Sequence, residues 1–176
     1  GRVTKKETIS YEDLSKVRFP KGGVYPLMGL MYWITSVPQQ LPDLNPLILK
    51  AIRNTCRNMV SQPKFIRYVG VNGILYMSEC IRTWEEKKGR RKAALNLAQV
   101  IRMLEEIGTG GAGFRFIYGA FLQEAAERTG ISELNDYSKR ITAIGDLWRE
   151  FAYKGSRMFK RRAVGDFTYD DLGDLL

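Results

Sequence analysis

The apolar positions of this chain recur in stripes with the spacing of helices, separated by glycine, proline and charge. Ile48, Ala51, Ile52, Cys56, Met59 and Val60 follow one another at helical intervals, the signature of one buried face. Asn45 is placed to cap that helix. Pro46 suits its first turn, where no backbone N–H is needed, and Pro63 stops it. A second stripe, Ile74, Met77, Ile81 and Trp84, follows Asn72, and Glu85 to Lys92 then reads as a polar turn. Ala94, Leu97, Ala98, Ile101 and Leu104 form a third stripe that ends at Gly108. Phe114, Ile117, Tyr118, Phe121, Leu122 and Ala125 form a fourth, with Gly130 as a left-handed terminator. Ser132 or Asn135 opens a fifth, carried by Leu134, Ile141, Ile144, Trp148, Phe151 and Ala152.

The ends of the chain read differently. Ser10 can cap a short helix at Tyr11, after which Pro20, Gly22, Gly23 and Pro26 break the chain repeatedly. Tyr32, Trp33, Ile34 and Thr35 are β-branched or aromatic and read as a short strand, whose edge needs a partner. At the other end, Thr168 followed by Tyr169, Asp170, Asp171 and Leu172 looks like a helix start. So short a helix is marginal in water, which suggests a chain that continues, or a fragment. The expected fold is mainly α: a bundle of five or six helices over 43–176, preceded by an extended or β segment over 1–42 that completes a missing N-terminal domain.

Composition narrows the chemistry. With 176 residues the chain is long enough for one domain with a sizeable core. It contains no histidine, which excludes a Ser-His-Asp triad, a Cys-His pair and any histidine-ligated metal within it. Cys56 and Cys80 are too few for a disulfide framework or a zinc site, and their apolar helical positions predict buried thiols. The net charge is +9, but the cations are scattered and interleaved with acids. That pattern favours a solvated surface or an acidic protein partner over nucleic acid. The most apolar stretch, Val24 to Val37, contains Pro26 and Gly29 and falls short of the roughly 20 residues a membrane span needs. No apolar leader follows Gly1, so no membrane association and a cytoplasmic location are expected.

One local sequence is unusual: Gly108-Thr109-Gly110-Gly111-Ala112-Gly113, followed by Phe114-Arg115. Glycine at this density costs chain entropy unless the backbone needs special angles or a close approach. Backbone N–H groups at the start of the fourth helix could hold an anion, reinforced by Arg115. No Gly-Lys-Ser/Thr ending follows, and the loop joins two helices, so known nucleotide loops do not fit. Two readings remain: a tight helix–helix turn packed on a neighbour, or a substrate or partner contact formed by Gly108, Thr109, Gly110, Gly111 and Arg115. The run Lys87, Lys88, Arg90, Arg91, Lys92 lacks interleaved aromatics and reads as a solvated turn, as does Lys160-Arg161-Arg162. Glu105/Glu106 and Asp170/Asp171 are sequence neighbours, which point apart on a helix and make a poor paired-carboxylate site.

The stretch from Glu105 through the glycine loop to Ala126, together with Ile144-Gly145-Asp146-Leu147-Trp148-Arg149-Glu150-Phe151-Ala152, resembles the C-terminal domain of bacterial proteins similar to butirosin biosynthesis protein H. The segment from Asn45 to Trp84 fits more loosely. The resemblance implies a non-catalytic helical domain paired with an N-terminal papain-like half of the same protein, which carries the nucleophilic cysteine and its histidine. It implies an acyltransferase that moves an aminoacyl chain from a carrier-protein thioester to an amine, in antibiotic or secondary-metabolite biosynthesis. Neither Cys56 nor Cys80 matches a catalytic motif. No cofactor of the chain's own is expected; the phosphopantetheine arm of an acyl carrier protein is the one such group implied. Two rival classes are a basic helical nucleic-acid-binding module, which steep salt dependence would reveal, and a structural domain that forms a homodimer, which sedimentation would reveal.

Overall fold

The computed structural model describes residues 8–19, 29, 33–37, 39–40, 42–60, 68–160 and 167–176. The chain divides into two compact units, Gly1–Leu41 and Pro42–Leu176. Among the described residues the architecture is mainly α, with helices and no strand.

In the first unit, helix α1 spans Tyr11–Arg18. Ser10 caps it as expected, its hydroxyl oxygen accepting the Asp13 N–H at 3.0 Å. The run expected as a strand is only partly described. Trp33, Ile34 and Thr35 adopt neither helix nor ladder, and Tyr32 lies outside the described residues.

The second unit contains α2 (Leu44–Val60), α3 (Gly70–Arg82), α4 (Trp84–Lys88), α5 (Arg90–Glu105), a 3-10 turn (Ala112–Phe114), α6 (Arg115–Thr129), α7 (Glu133–Phe159) and α8 (Tyr169–Asp174). Each apolar stripe lies mainly on one helix, with Trp84 falling in α4 and Phe114 in the turn before α6, and several boundaries move. Asn45 lies inside α2 rather than before it: Asp43 accepts the Asn45 N–H at 3.0 Å and takes the capping role, which leaves Pro46 still in the first turn. Asn72 likewise lies within α3. The polar turn expected over Glu85 to Lys92 narrows to Gly89, which serves as C-cap of α4 and N-cap of α5. Its φ of 75° and ψ of 151° belong to a region reserved for glycine, so one residue reverses the chain and the charged neighbours stay helical.

The long helix α7 is the spine. Its buried residues Leu134, Ser138, Gly145, Trp148, Phe151, Ala152 and Gly155 form one continuous stripe. Helix α6 lies antiparallel to it, turned by Gly130 in the left-handed conformation. At Gly119 the two helices approach so closely that a Cβ would stand 2.9 Å from Thr142 Oγ1, and the buried Ser138 hydroxyl donates to Gly119 O at 2.7 Å. Helix α5 packs on the C-terminal half of α7, where Gly155 admits Ile101 and Leu97. The main core joins Ile81, Leu97, Ile101, Ala112, Trp148, Phe151 and Leu172. A smaller cluster of Leu122, Ala125, Ala126 and Leu134 is topped by Ile48 and Ile52 of α2.

Helix α8 has only six residues, and docking rather than length holds it. Leu172 is fully buried in the main core. Ser78 donates to Gly173 O at 2.7 Å, and Arg82 pairs with Asp174 at 2.6 Å. The Thr168 hydroxyl and the Asp171 carboxylate satisfy each other's backbone N–H in a capping box.

Candidate functional site

The glycine loop lies between α5 and α6 against one side of α7. Gly108, Gly110, Gly111, Ala112, Gly113 and Phe114 all have positive φ. For the two residues with side chains, Ala112 at 50° and Phe114 at 70°, this conformation costs of order 1–2 kcal/mol each. Such strain persists only where the surroundings enforce it. Ala112 is locked in place by full burial. Phe114 is different: it holds the strained N-cap position of α6 while its ring is 57% exposed.

A carboxylate organises the loop from within. Glu105, in the last turn of α5, accepts the Ala112 N–H at 3.0 Å through Oε1. Its Oε2 lies 3.9 Å from Arg149 Nε of α7. A Cβ on Gly111 would stand 2.9 Å from Arg149 Nη2 and 3.2 Å from Glu105 Oε2, so a side chain would push the guanidinium aside, and the φ of 89° itself favours glycine. Thr109 is buried, its hydroxyl donating to Leu104 O at 2.5 Å and accepting the Gly111 N–H at 3.3 Å. Part of the N–H cradle that could hold an external anion is therefore filled by the protein's own carboxylate, near the positive end of α6.

The five residues singled out in the sequence are thus brought together but face different ways. Thr109 and Gly111 turn inward and form the packed turn. Gly108 and Gly110 face solvent, with Ile117 lying over Gly110: a Cβ there would stand 3.0 Å from Ile117 Cδ1. Arg115 is half-buried. Its guanidinium stacks 4.1 Å above the Trp148 ring and donates to Ala112 O at 2.9 Å. Burial lowers its pKa from the ordinary arginine value, and no carboxylate pairs with it among the described residues. The exposed edge of the loop is apolar: Ile107, Phe114 and Ile117 are each more than half exposed.

Glu105, Phe114 and Arg149 were not legible as site residues from spacing. A signal for Glu105 was present: a carboxylate at a helix C-terminus opposes the helix dipole, so it needs a partner elsewhere. Glu106 turns away instead and lies 4.0 Å from Arg102, so the acidic pair diverges as expected for helical neighbours. Asp170 and Asp171 diverge too, the first toward Arg82 and the second to Thr168.

The cysteines depart from expectation. Cys80 is partly buried, but Cys56 is exposed, because α2 packs through little more than Ile48 and Ile52. The Tyr118 hydroxyl interacts with Cys56; its pKa is raised first by burial and then by that thiol, so it stays protonated beside the sulfur. Among the described residues no cluster of His, Cys, Asp and Glu could hold a metal ion, and no helix is long and apolar enough to cross a membrane.

No curated protein and no solved structure matches the chain. One family, described as a domain of unknown function, matches residues 12–176, which takes in the glycine loop and every helix of the second unit. The chain therefore belongs to the DUF4872 family of domains.

Proposed function

We propose that this domain is the non-catalytic helical part of an enzyme similar to butirosin biosynthesis protein H, a papain-like acyltransferase, and that the glycine loop is where it meets the rest of the reaction. The observation that supports a contact role is the outer edge of the loop. A phenyl ring in a strained backbone faces solvent at Phe114, beside a half-buried Arg115 that lacks a carboxylate partner. Desolvating a cation without an opposite charge is unfavourable, and an incoming anionic group would relieve it. Glu105, Thr109 and Gly111 form the packed base of the patch, and Gly108, with open space around it, leaves room for close approach.

Two occupants fit this edge. The apolar residues Ile107, Phe114 and Ile117 suit the surface of the catalytic half; the guanidinium of Arg115, held on Trp148 and without a carboxylate partner among the described residues, suits a phosphate, such as that on the pantetheine arm of an acyl carrier protein. Both assign the reacting groups to another part of the enzyme. The test is acyl transfer from a carrier thioester to an amine by the whole enzyme. Phe114→Ser is expected to weaken association with the catalytic half; Arg115→Gln is expected to raise KM for the carrier. Unchanged transfer in both variants would refute the contact role. A gene in which no Cys/His-bearing segment accompanies this domain would refute the parentage separately.

A further inference from the structure

The junction of α4 and α5 gathers cations on one concave surface. Gly89, with its φ of 75°, turns the chain there and leaves the charged residues on both sides helical. Lys87 and Lys88 from the end of α4, with Lys92, Leu95 and Asn96 from the start of α5, line an open groove of about 320 Å³. Lys92, Leu95 and Asn96 stand at helical spacing, so they project from one face of α5. A solvated turn would spread these charges; the folded helices bring three lysines to the wall of one space.

The wall carries one sign of charge. No carboxylate lines the groove, and Lys87, Lys88 and Lys92 pair with none among the described residues. Like charges held together repel, and Lys92 stands in the first turn of α5, where the helix dipole disfavours a cation. An anionic occupant relieves both. Leu95 narrows the choice, because it belongs to the same wall and is 62% exposed. An inorganic anion gains nothing from a leucine. A nucleic-acid strand calls for aromatic rings on which bases stack, and this wall has none. A peptide with carboxylates beside an apolar side chain uses every member of the wall: the lysines meet its acids, Leu95 its apolar group, and the Asn96 amide its backbone. We propose that this groove docks a short acidic segment of a partner protein, with an apolar residue among its carboxylates. The groove lies at the opposite end of α5 from the glycine loop, and the proposal does not depend on the role given to that loop.

The test is fluorescence anisotropy with the full chain and three labelled peptides: glutamates around one leucine, the same with glutamine for glutamate, and the same with serine for leucine. The acidic leucine peptide is expected to bind at low salt and to weaken as salt is raised, while the glutamine peptide does not bind. Reversing the wall (Lys87→Glu, Lys88→Glu and Lys92→Glu) is expected to weaken binding by about tenfold or more. Reversing as many cations on α2 (Lys50→Glu, Arg53→Glu and Arg57→Glu) changes the net charge equally and is expected to alter binding by less than about twofold. All six side chains are exposed, so circular dichroism should be unchanged. Lys92→Gln, which leaves α4 untouched, is the milder variant and is expected to weaken binding by about threefold. Leu95→Ser should weaken the leucine peptide and spare the serine peptide. The proposal is overturned by no binding of the acidic peptide, by equal binding of the glutamine peptide, or by equal losses from the two sets of reversals. It is also overturned if Leu95→Ser affects the two acidic peptides alike. Tighter binding of an oligothymidine, lost in the same lysine variants, would assign the groove to nucleic acid instead.

Discussion

Replacing Glu105 with alanine tests the internal organisation of the loop. The Glu105 side chain is 24% exposed and accepts the N–H of the buried Ala112 at 3.0 Å. A hydrogen bond to a charged group contributes about 1.5–3 kcal/mol net, and losing it leaves a buried donor unsatisfied. The facing Arg149 is 59% exposed and 3.9 Å away, so screening by water holds that pair to under about 1 kcal/mol. The expected loss is about 2 kcal/mol, most of it from the Ala112 N–H. In a chain of 176 residues this lowers Tm by about 4–8 °C. The assay is thermal unfolding followed by circular dichroism, with urea titration to confirm that the midpoint moves while the slope does not. The variant also vacates a place lined by a backbone N–H, an arginine and a helix N-terminus. Millimolar phosphate should therefore stabilise Glu105→Ala measurably more than the parent chain, which lacks this vacated place. Glu105→Gln should fall between the two, since it keeps an acceptor but not the charge. An unfolding midpoint in Glu105→Ala equal to that of the parent would refute the claim that this carboxylate holds the loop.

Other outcomes follow from the same geometry. Gly111→Ala should destabilise by about 1–3 kcal/mol, because its backbone angles are reserved for glycine and the new methyl displaces Arg149; Gly108→Ala, with open space around it, should cost only about 1 kcal/mol, and equal effects in chemical denaturation would contradict the packed turn. Leu172→Ala should cost about 2–5 kcal/mol and speed amide exchange in α3 as well as α8, since the two helices share that buried contact. Hydrogen bonds from the Thr168 hydroxyl and backbone lower the Asp171 pKa below its ordinary value of 3.8, so the stability it contributes is present above that pH and lost as pH falls through the lowered folded value; Thr168→Ala should move the titration, read by NMR, back toward 3.8. Cys56 should react with a thiol reagent faster than the partly buried Cys80, a ranking that mass spectrometry after brief labelling would check.

The mainly α architecture and the periodic faces of α2, α3, α5, α6 and α7 were legible in the amino-acid sequence, because a helix repeats on a scale the chain itself displays, whereas α4 read as a polar turn. Leu97, Ile101, Leu122, Trp148 and Phe151 stand in the stripes and are buried. The absence of histidine fixed in advance which reactions these residues cannot perform unaided. The glycine loop, too, was conspicuous by composition. Its internal structure was not. That Glu105 reaches Ala112, that Arg149 closes the other side and that Arg115 stacks on Trp148 depends on how α5, α6 and α7 pack, and contacts between residues far apart in sequence leave no periodic trace. Likewise Cys56 sits in an apolar stripe yet is exposed, because burial depends on whether another element covers a face. Helix α8, too short to persist alone, is held because Leu172 and Arg82 meet in the folded state. Local periodicity told which side of the longer helices is apolar; only the tertiary structure decided which of those sides are filled, and it leaves no residue of α2 buried.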